Sequence, residues 1–90
     1  MPDVQLSTRV TVRYFAAARA AAGAETEPVE ITPGSTVDDL LTVLREQHSA
    51  EFARVLDRCS FLLDEVAVRD RSATLPSHAT LDVLPPFAGG

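Results

Sequence analysis

The chain has very few of the residues on which several protein classes depend. Its 90 residues include one cysteine, Cys59, so an internal disulfide cannot hold the fold together. One cysteine and two histidines far apart, His48 and His78, cannot supply the four ligands of a structural zinc site. Apolar runs stay well below the ~20 residues that a membrane span needs. The first seven residues have no basic group of the kind that opens a signal peptide, so we expect a cytoplasmic protein.

Lysine is missing from the sequence altogether. All eight basic residues are arginines, and thirteen acidic residues bring the net charge to −5. These residues therefore offer no lysine amine as a nucleophile, a Schiff base or an acceptor. The negative charge argues against nonspecific binding to nucleic acid or to an anionic membrane, and it suits a protein partner with a basic docking surface. A chain of this length has room for one small core.

Alternation of apolar and polar residues predicts five short strands. They are centred on Val10–Tyr14, Val29–Ile31, Phe61–Leu63, Val66–Val68 and Leu81–Val83. Asp64-Glu65 is expected as the tight turn of a small hairpin. Pro28 is expected at the start of its strand, where it removes no inner hydrogen bond.

Three helical segments are expected between these strands. An alanine-rich segment at 16–22 should end at Gly23. The helical spacing of Phe52, Val55, Leu56 and Cys59 predicts a second, shorter helix or helical loop. The main helix should begin at Thr36, with Asp39 as its capping-box partner, and should end near residue 48. It carries one apolar stripe, formed by Val37, Leu40, Leu41 and Leu44.

The order of elements predicts an α+β fold of the β-grasp type. A mixed sheet should have its first and last strands parallel at the centre, with one main helix across one face and short extra helices. Residues 1–8 are expected to be a flexible N-terminal extension, 9–84 the β-grasp domain and 85–90 an extended C-terminal tail.

Side chains within the domain offer little chemistry. His48 and His78 are expected on the surface, and Cys59 as a buried, unreactive thiol. Arg13 and Arg19 have the charge to bind an anion, but exposed arginines beside a strand are common. No glycine-rich phosphate loop and no metal-ligand cluster is present in the sequence.

The last six residues form a distinctive segment. Pro85-Pro86 makes the exit from the last strand stiff and extended, and Phe87 places a large apolar group just beyond it. Gly89-Gly90 has no side-chain carbons, so this end can enter a narrow slot. The pattern predicts a tail with a stiff start at the two prolines, an aromatic side chain that can anchor it to a partner, and a narrow end at the two glycines.

Three segments carry a resemblance to a known family. They are Val10–Ala16 leading into Arg19 and Gly23, Pro33–Val37 before Leu40-Leu41, and Asp82–Gly90. With them the chain resembles, over residues 9–90, the sulfur-carrier proteins of the ubiquitin-like superfamily, and within it the small subunits of molybdopterin synthase. The Asp64-Glu65 turn departs from the Asn-Gly-like turn that is frequent in that family.

The resemblance implies a role for the tail. The carboxylate of Gly90 would be adenylated by a ubiquitin-activating-type enzyme using ATP, and a sulfur donor would convert it to a thiocarboxylate. That sulfur would pass to the molybdopterin precursor bound by the large subunit of molybdopterin synthase. The chain would be the sulfur-carrying subunit of a sulfurtransferase, with no cofactor of its own. Contact with partners would involve Leu84, Pro85, Pro86, Phe87, Ala88 and Gly89.

Three other functions remain open from the sequence. The chain can be a sulfur carrier for thiazole or cysteine biosynthesis, which would share the tail and the fold. It can be a ubiquitin-like protein modifier, joined through Gly90 to a lysine of another protein. It can also be an interaction module without chemistry at its terminus.

Overall fold

The computed structural model describes residues 7–86, which form five strands and three helices. In chain order they are β1 (Thr8–Tyr14), α1 (Ala16–Ala22), β2 (Thr26–Ile31), α2 (Val37–Gln47), α3 (Ala50–Leu56), β3 (Ser60–Leu63), β4 (Val66–Ala67) and β5 (Thr80–Leu84). The strands form one sheet in the order β2-β1-β5-β3-β4. β1 and β5 are parallel, and all other pairs are antiparallel. This mixed sheet with three helices is the predicted ubiquitin-like β-grasp fold.

One face of the sheet carries the hydrophobic core. Residues that alternate along the central strands, such as Val12, Leu81 and Val83, are fully buried. The apolar stripe of α2 joins the same core, and its four predicted residues are also fully buried. The predicted packing of the main helix against the sheet is therefore confirmed.

The start of α2 is fixed by the predicted capping box. The Thr36 hydroxyl accepts a hydrogen bond from the Asp39 backbone N–H at 3.1 Å. The Asp39 carboxylate accepts one in return from the Thr36 N–H at 2.9 Å. Two backbone donors that the helix leaves unpaired are thus satisfied, and the boundary follows directly from local sequence.

The tight turn between β3 and β4 is confirmed at Asp64-Glu65. Both residues have positive φ, 47° and 72°, as a two-residue type I′ hairpin requires. Neither is glycine, so the backbone strain must be offset by other contacts. The Asp64 carboxylate accepts a hydrogen bond from the Thr80 N–H at 2.9 Å, and the Asp64 N–H donates to the Thr80 carbonyl at 2.8 Å. These two bonds anchor the turn to the first residue of β5.

Two strand boundaries differ from expectation. β2 begins at Thr26, so Pro28 lies inside the strand and not at its start, opposite Thr11. β2 is an edge strand, where a proline can be accommodated because one side of the backbone has no neighbouring strand. β1 begins at Thr8, one residue inside the segment expected as an extension; residues 1–6 lie outside the described part of the chain.

Within residues 7–86, no helix is long and apolar enough to cross a bilayer.

Candidate functional site

The tail begins at the centre of the sheet. β5 ends at Leu84 and lies between β1 and β3, so the chain leaves from the middle strand and not from an edge. Leu84 and Pro85 are half-buried, and Pro86 is exposed. The predicted contact and reaction residues Phe87, Ala88, Gly89 and Gly90 lie outside the described residues, and their roles stay predictions.

The face of the sheet opposite the core is here called the open face. Strand register places on it the residues that alternate with the core, including Arg13 on β1 and Asp82 on β5. By register, apolar residues lie on this face level with Asp82 and beyond it toward the tail exit, and we call this group the tail-base surface. Its members are half-buried except Ala67, which is exposed: Phe15, Leu62, Ala67 and Leu84. An apolar surface beside a tail exit can serve as a docking site.

Arg13 and Asp82 form an ion pair on the open face. The Arg13 guanidinium donates two hydrogen bonds to the Asp82 carboxylate, from Nε at 2.6 Å and from Nη2 at 2.9 Å. Asp82 is only 4% exposed, and it is the one buried charged residue in the described part of the chain. Hydrogen bonding to Asp82, followed by the attraction of its charge, raises the pKa of the Arg13 guanidinium. Arg13, considered above for anion binding, is thus already engaged with a carboxylate of its own chain.

Arg19, the other candidate for anion binding, also pairs within the chain. Its Nη2 lies 2.7 Å from the Glu25 carboxylate, and both side chains are largely exposed. Such a surface pair contributes little to stability.

The expectation of a surface position for His48 is wrong. Its side chain is only 15% exposed, and its Nε2 lies 2.7 Å from Glu27 Oε1. The Tyr14 hydroxyl donates to the same oxygen at 2.7 Å, and the His48 ring packs on Phe52 with centroids 4.4 Å apart. His48 is the C-cap of α2, directly after the last helical residue, and its contact with Glu27 of β2 holds the ring inward. Glu27 and Val29 are two residues apart on β2 and therefore lie on the same face of the sheet. This spacing was the signal in the sequence that Glu27 faces the core side, where His48 contacts it.

Burial dominates the chemistry of the remaining candidates. It raises the pKa of the Tyr14 hydroxyl, with the Glu27 hydrogen bond as the second cause. It also raises the pKa of Cys59 to about 11, and this thiol donates to the Val55 carbonyl at 3.2 Å. The predicted unreactive thiol is confirmed, because the nucleophilic thiolate is suppressed at neutral pH.

His78 is exposed, as predicted. Among residues 7–86, no group of three or more histidine, cysteine or carboxylate side chains is arranged to hold a metal ion.

The sequence and the fold were compared with known protein families, curated proteins and solved structures. The ThiS family matches residues 12–90, a range that includes the central strands and the predicted tail. No curated protein sequence matches the chain.

Solved structures with the same fold come from several organisms. SAMP1 from Haloferax volcanii is 26% identical with a TM-score of 0.80, over 91% of this chain and 99% of that one. A protein from Pyrococcus furiosus that is described as molybdopterin converting factor subunit 1 is 25% identical with a TM-score of 0.79. The match covers 89% of this chain and 99% of that one. Subunit 1 in a complex of subunits 1 and 2 of the molybdopterin-converting factor from Helicobacter pylori is 21% identical with a TM-score of 0.69, over 91% and 99%.

Proposed function

The chain belongs to the ThiS family of ubiquitin-like sulfur carriers, and we propose that it carries sulfur on Gly90 for the synthesis of molybdopterin. The observation that carries the proposal is the family match, which extends from the central strands through the Pro-Pro and Gly-Gly pairs to residue 90. The likeness to a molybdopterin converting factor subunit 1 supports this pathway among those that use such carriers.

The proposed chemistry begins at the Gly90 carboxylate. A free carboxylate is a poor electrophile, so attack on ATP by the carboxylate, with loss of pyrophosphate, would first give an acyl adenylate. Sulfide (HS⁻) delivered by a donor protein would then attack the acyl carbon, displace AMP and leave a thiocarboxylate. In the second reaction the thiocarboxylate sulfur would form a carbon–sulfur bond to the molybdopterin precursor and displace an oxygen leaving group. Hydrolysis of the acyl–sulfur bond would then leave the sulfur on the precursor and return the Gly90 carboxylate. The acids, bases and anion-binding groups for these steps would belong to the partner enzymes.

The proposed partners are an adenylating enzyme of the ubiquitin-activating type and the large subunit of molybdopterin synthase. The Helicobacter pylori structure is a complex of two subunits of the molybdopterin-converting factor, and the fold of its subunit 1 is shared by this chain. In this chain the tail-base surface lies beside the tail exit, so one partner can contact Leu84 and Phe87 together. The net charge of −5 favours approach to a basic surface.

The terminal glycine gives the direct test. The full chain is incubated with ATP, an adenylating enzyme and a sulfur donor, and its C-terminal peptide is weighed by mass spectrometry. We expect the replacement of one oxygen by one sulfur, confined to that peptide. Deletion of Gly90 should abolish the change, because the reactive carbon would fall about 3.3–3.6 Å short.

A matched variant separates loss of chemistry from loss of folding. Arg9→Gln alters an exposed residue on the same sheet and should react like the unmodified chain. Circular dichroism of the Gly90-deleted chain should be unchanged, because the core of the described residues, 7–86, has Val83 as its last member. Full molybdopterin formation by the deleted chain would refute the proposal.

A second candidate function is supported by one comparison. SAMP1, a small archaeal modifier protein, is 26% identical over 91% of this chain, so attachment of Gly90 to a lysine of another protein is the alternative. Both functions share adenylation, and they differ in the product. Sulfur transfer to the precursor in the presence of the large subunit supports the carrier, and an isopeptide-linked conjugate in cells supports the modifier.

A further inference from the structure

The Arg13–Asp82 ion pair lies close to the point where the tail leaves. The two residues face each other on the parallel central strands, and Asp82 is two residues before the end of β5. The Arg13 guanidinium also lies 5.9 Å from the centre of the Phe15 ring. The Phe15 N–H donates to the Val83 carbonyl at 3.2 Å, so the same region of β1 holds two successive residues of β5.

The energetics of this pair are unusual for an open sheet face. Removing a carboxylate from water is costly, and only good geometry with further hydrogen bonds offsets that cost. Apolar residues of similar volume at both positions can be as stabilising as a buried pair. The pair supplies something that apolar packing does not, namely a bidentate bond that fixes direction as well as distance.

A second pair on the same face provides a contrast. Arg9 and Glu30 lie near the other end of β1, their closest atoms are 3.5 Å apart, and their side chains are 60% and 62% exposed. That geometry leaves both side chains free to move in water, and pairs of this kind contribute little. Tight, directional pairing on the open face is thus found at the tail end of the central strands.

We propose that Arg13 and Asp82 are a positioning pair, which holds the last residues of β5 against β1 so that the tail starts from a fixed place and direction. The inference rests on the proposed function, because a fixed start is useful when the tip must reach a narrow reaction site. Small displacements of a reacting group lower rates strongly. Without the pair, the end of β5 separates from β1 more often, and the tip reaches the site less often.

The first experiment measures the end of β5 directly, without any enzyme. Amide hydrogen exchange is followed by NMR at two positions of the same ladder: the Phe15 N–H on the Val83 carbonyl at the tail end, and the Thr11 N–H on the Ala79 carbonyl at the far end. In Asp82→Asn we expect Phe15 to exchange roughly tenfold faster and Thr11 to change little, as in local opening. Equal changes at both amides, or none, would overturn the proposal.

The second experiment measures thiocarboxylate formation at varied concentrations of the chain. Asp82→Asn should lower kcat/KM for the adenylating enzyme by about tenfold. Arg13→Lys should lower kcat/KM as well, although it keeps the positive charge, because an ammonium group cannot make the paired bonds of a guanidinium. Arg9→Gln, on the same face and strand, is the matched control and should behave like the unmodified chain.

A double variant distinguishes positioning from stability. Arg13→Met combined with Asp82→Leu should unfold at the same urea concentration as the unmodified chain or a higher one. We expect its kcat/KM to stay as low as that of Asp82→Asn, because apolar packing can maintain the stability of the domain but cannot replace the directional bond. Recovery of both would assign the pair a structural role only and overturn the inference. If the unmodified chain forms no thiocarboxylate, the proposed function fails, and the exchange experiment alone decides whether the pair holds β5.

Discussion

The two faces of the sheet are built from the same strands and differ in what they hold. On the covered face, Val12, Leu81 and Val83 are fully buried beneath the helices, and the contacts are apolar. On the open face, the neighbouring residues Arg13 and Asp82 form a charged pair next to the tail exit. The comparison separates two tasks. The covered face supplies the free energy of folding, and the open face can present groups to partners without competing with the core.

The strongest test of this division is Leu41→Ala on α2. Leu41 is fully buried in the core cluster, so its truncation should lower the free energy of unfolding by about 2–5 kcal/mol, measured by urea denaturation. Thr42→Ala, next to it and exposed, is the control and should cost well below that. A loss no larger than that of the control would show that the covered face does not dominate stability.

The opposite result is expected for Phe87→Ala, in the predicted tail. It should weaken binding to the molybdopterin synthase large subunit by about 1–2 kcal/mol, measured by calorimetry, because aromatic residues are common interface anchors. The urea midpoint should not change. Glu46→Gln, exposed on α2, is the matched control for binding. Unchanged affinity in Phe87→Ala would remove the tail from the docking surface.

A smaller effect is expected where the covered face contains a polar bond. Tyr14→Phe removes the hydroxyl that donates to Glu27 and leaves the ring in the core. We expect a loss of about 0.5–1.5 kcal/mol in the free energy of unfolding. The His48–Glu27 contact stays in place, so a loss as large as that of Leu41→Ala would mean that the cluster acts as one unit.

The smallest effect at neutral pH concerns the Cys59 thiol, whose contribution to stability changes only in alkaline solution. Because burial raises its folded pKa to about 11, the folded state favours the neutral thiol. The resulting stabilisation is complete below the pKa of the unfolded chain, about 8.5, and declines as pH rises from there through about 11. Comparing the unmodified chain with Cys59→Ala isolates this contribution, since other groups titrate in both. A stability difference that stayed constant from pH 8 to pH 11 would contradict it.

Local patterns predicted most of the fold because the responsible interactions are local. The capping box joins Thr36 to Asp39, three positions on, and the Asp64-Glu65 turn spans two residues. The apolar stripe of α2 follows from helical periodicity. The capping box and the stripe depend little on how distant strands come together. The position of the turn was also predictable from local sequence, although its two bonds to Thr80 depend on β5.

The parts of the site that the sequence did not predict depend on long-range register. Arg13 and Asp82 are 69 residues apart, and each looks like an ordinary exposed polar residue of an alternating strand. Their contact exists only because β1 and β5 are parallel neighbours in this register. His48 and Glu27, 21 residues apart, meet for a similar reason. The tip at Gly89-Gly90 is a prediction from sequence pattern and family resemblance.

The central position of β5 also determines how the domain responds to mechanical force. β5 is bonded to β1 on one side and to β3 on the other, and the chain continues from its end into the tail. If a partner were to pull on the tail along the direction of β5, the hydrogen bonds on both sides of the strand would be loaded together in shear. A strand at the edge, pulled sideways, would release its bonds one after another. The topology therefore lets a partner pull on the tail while the domain behind it stays folded.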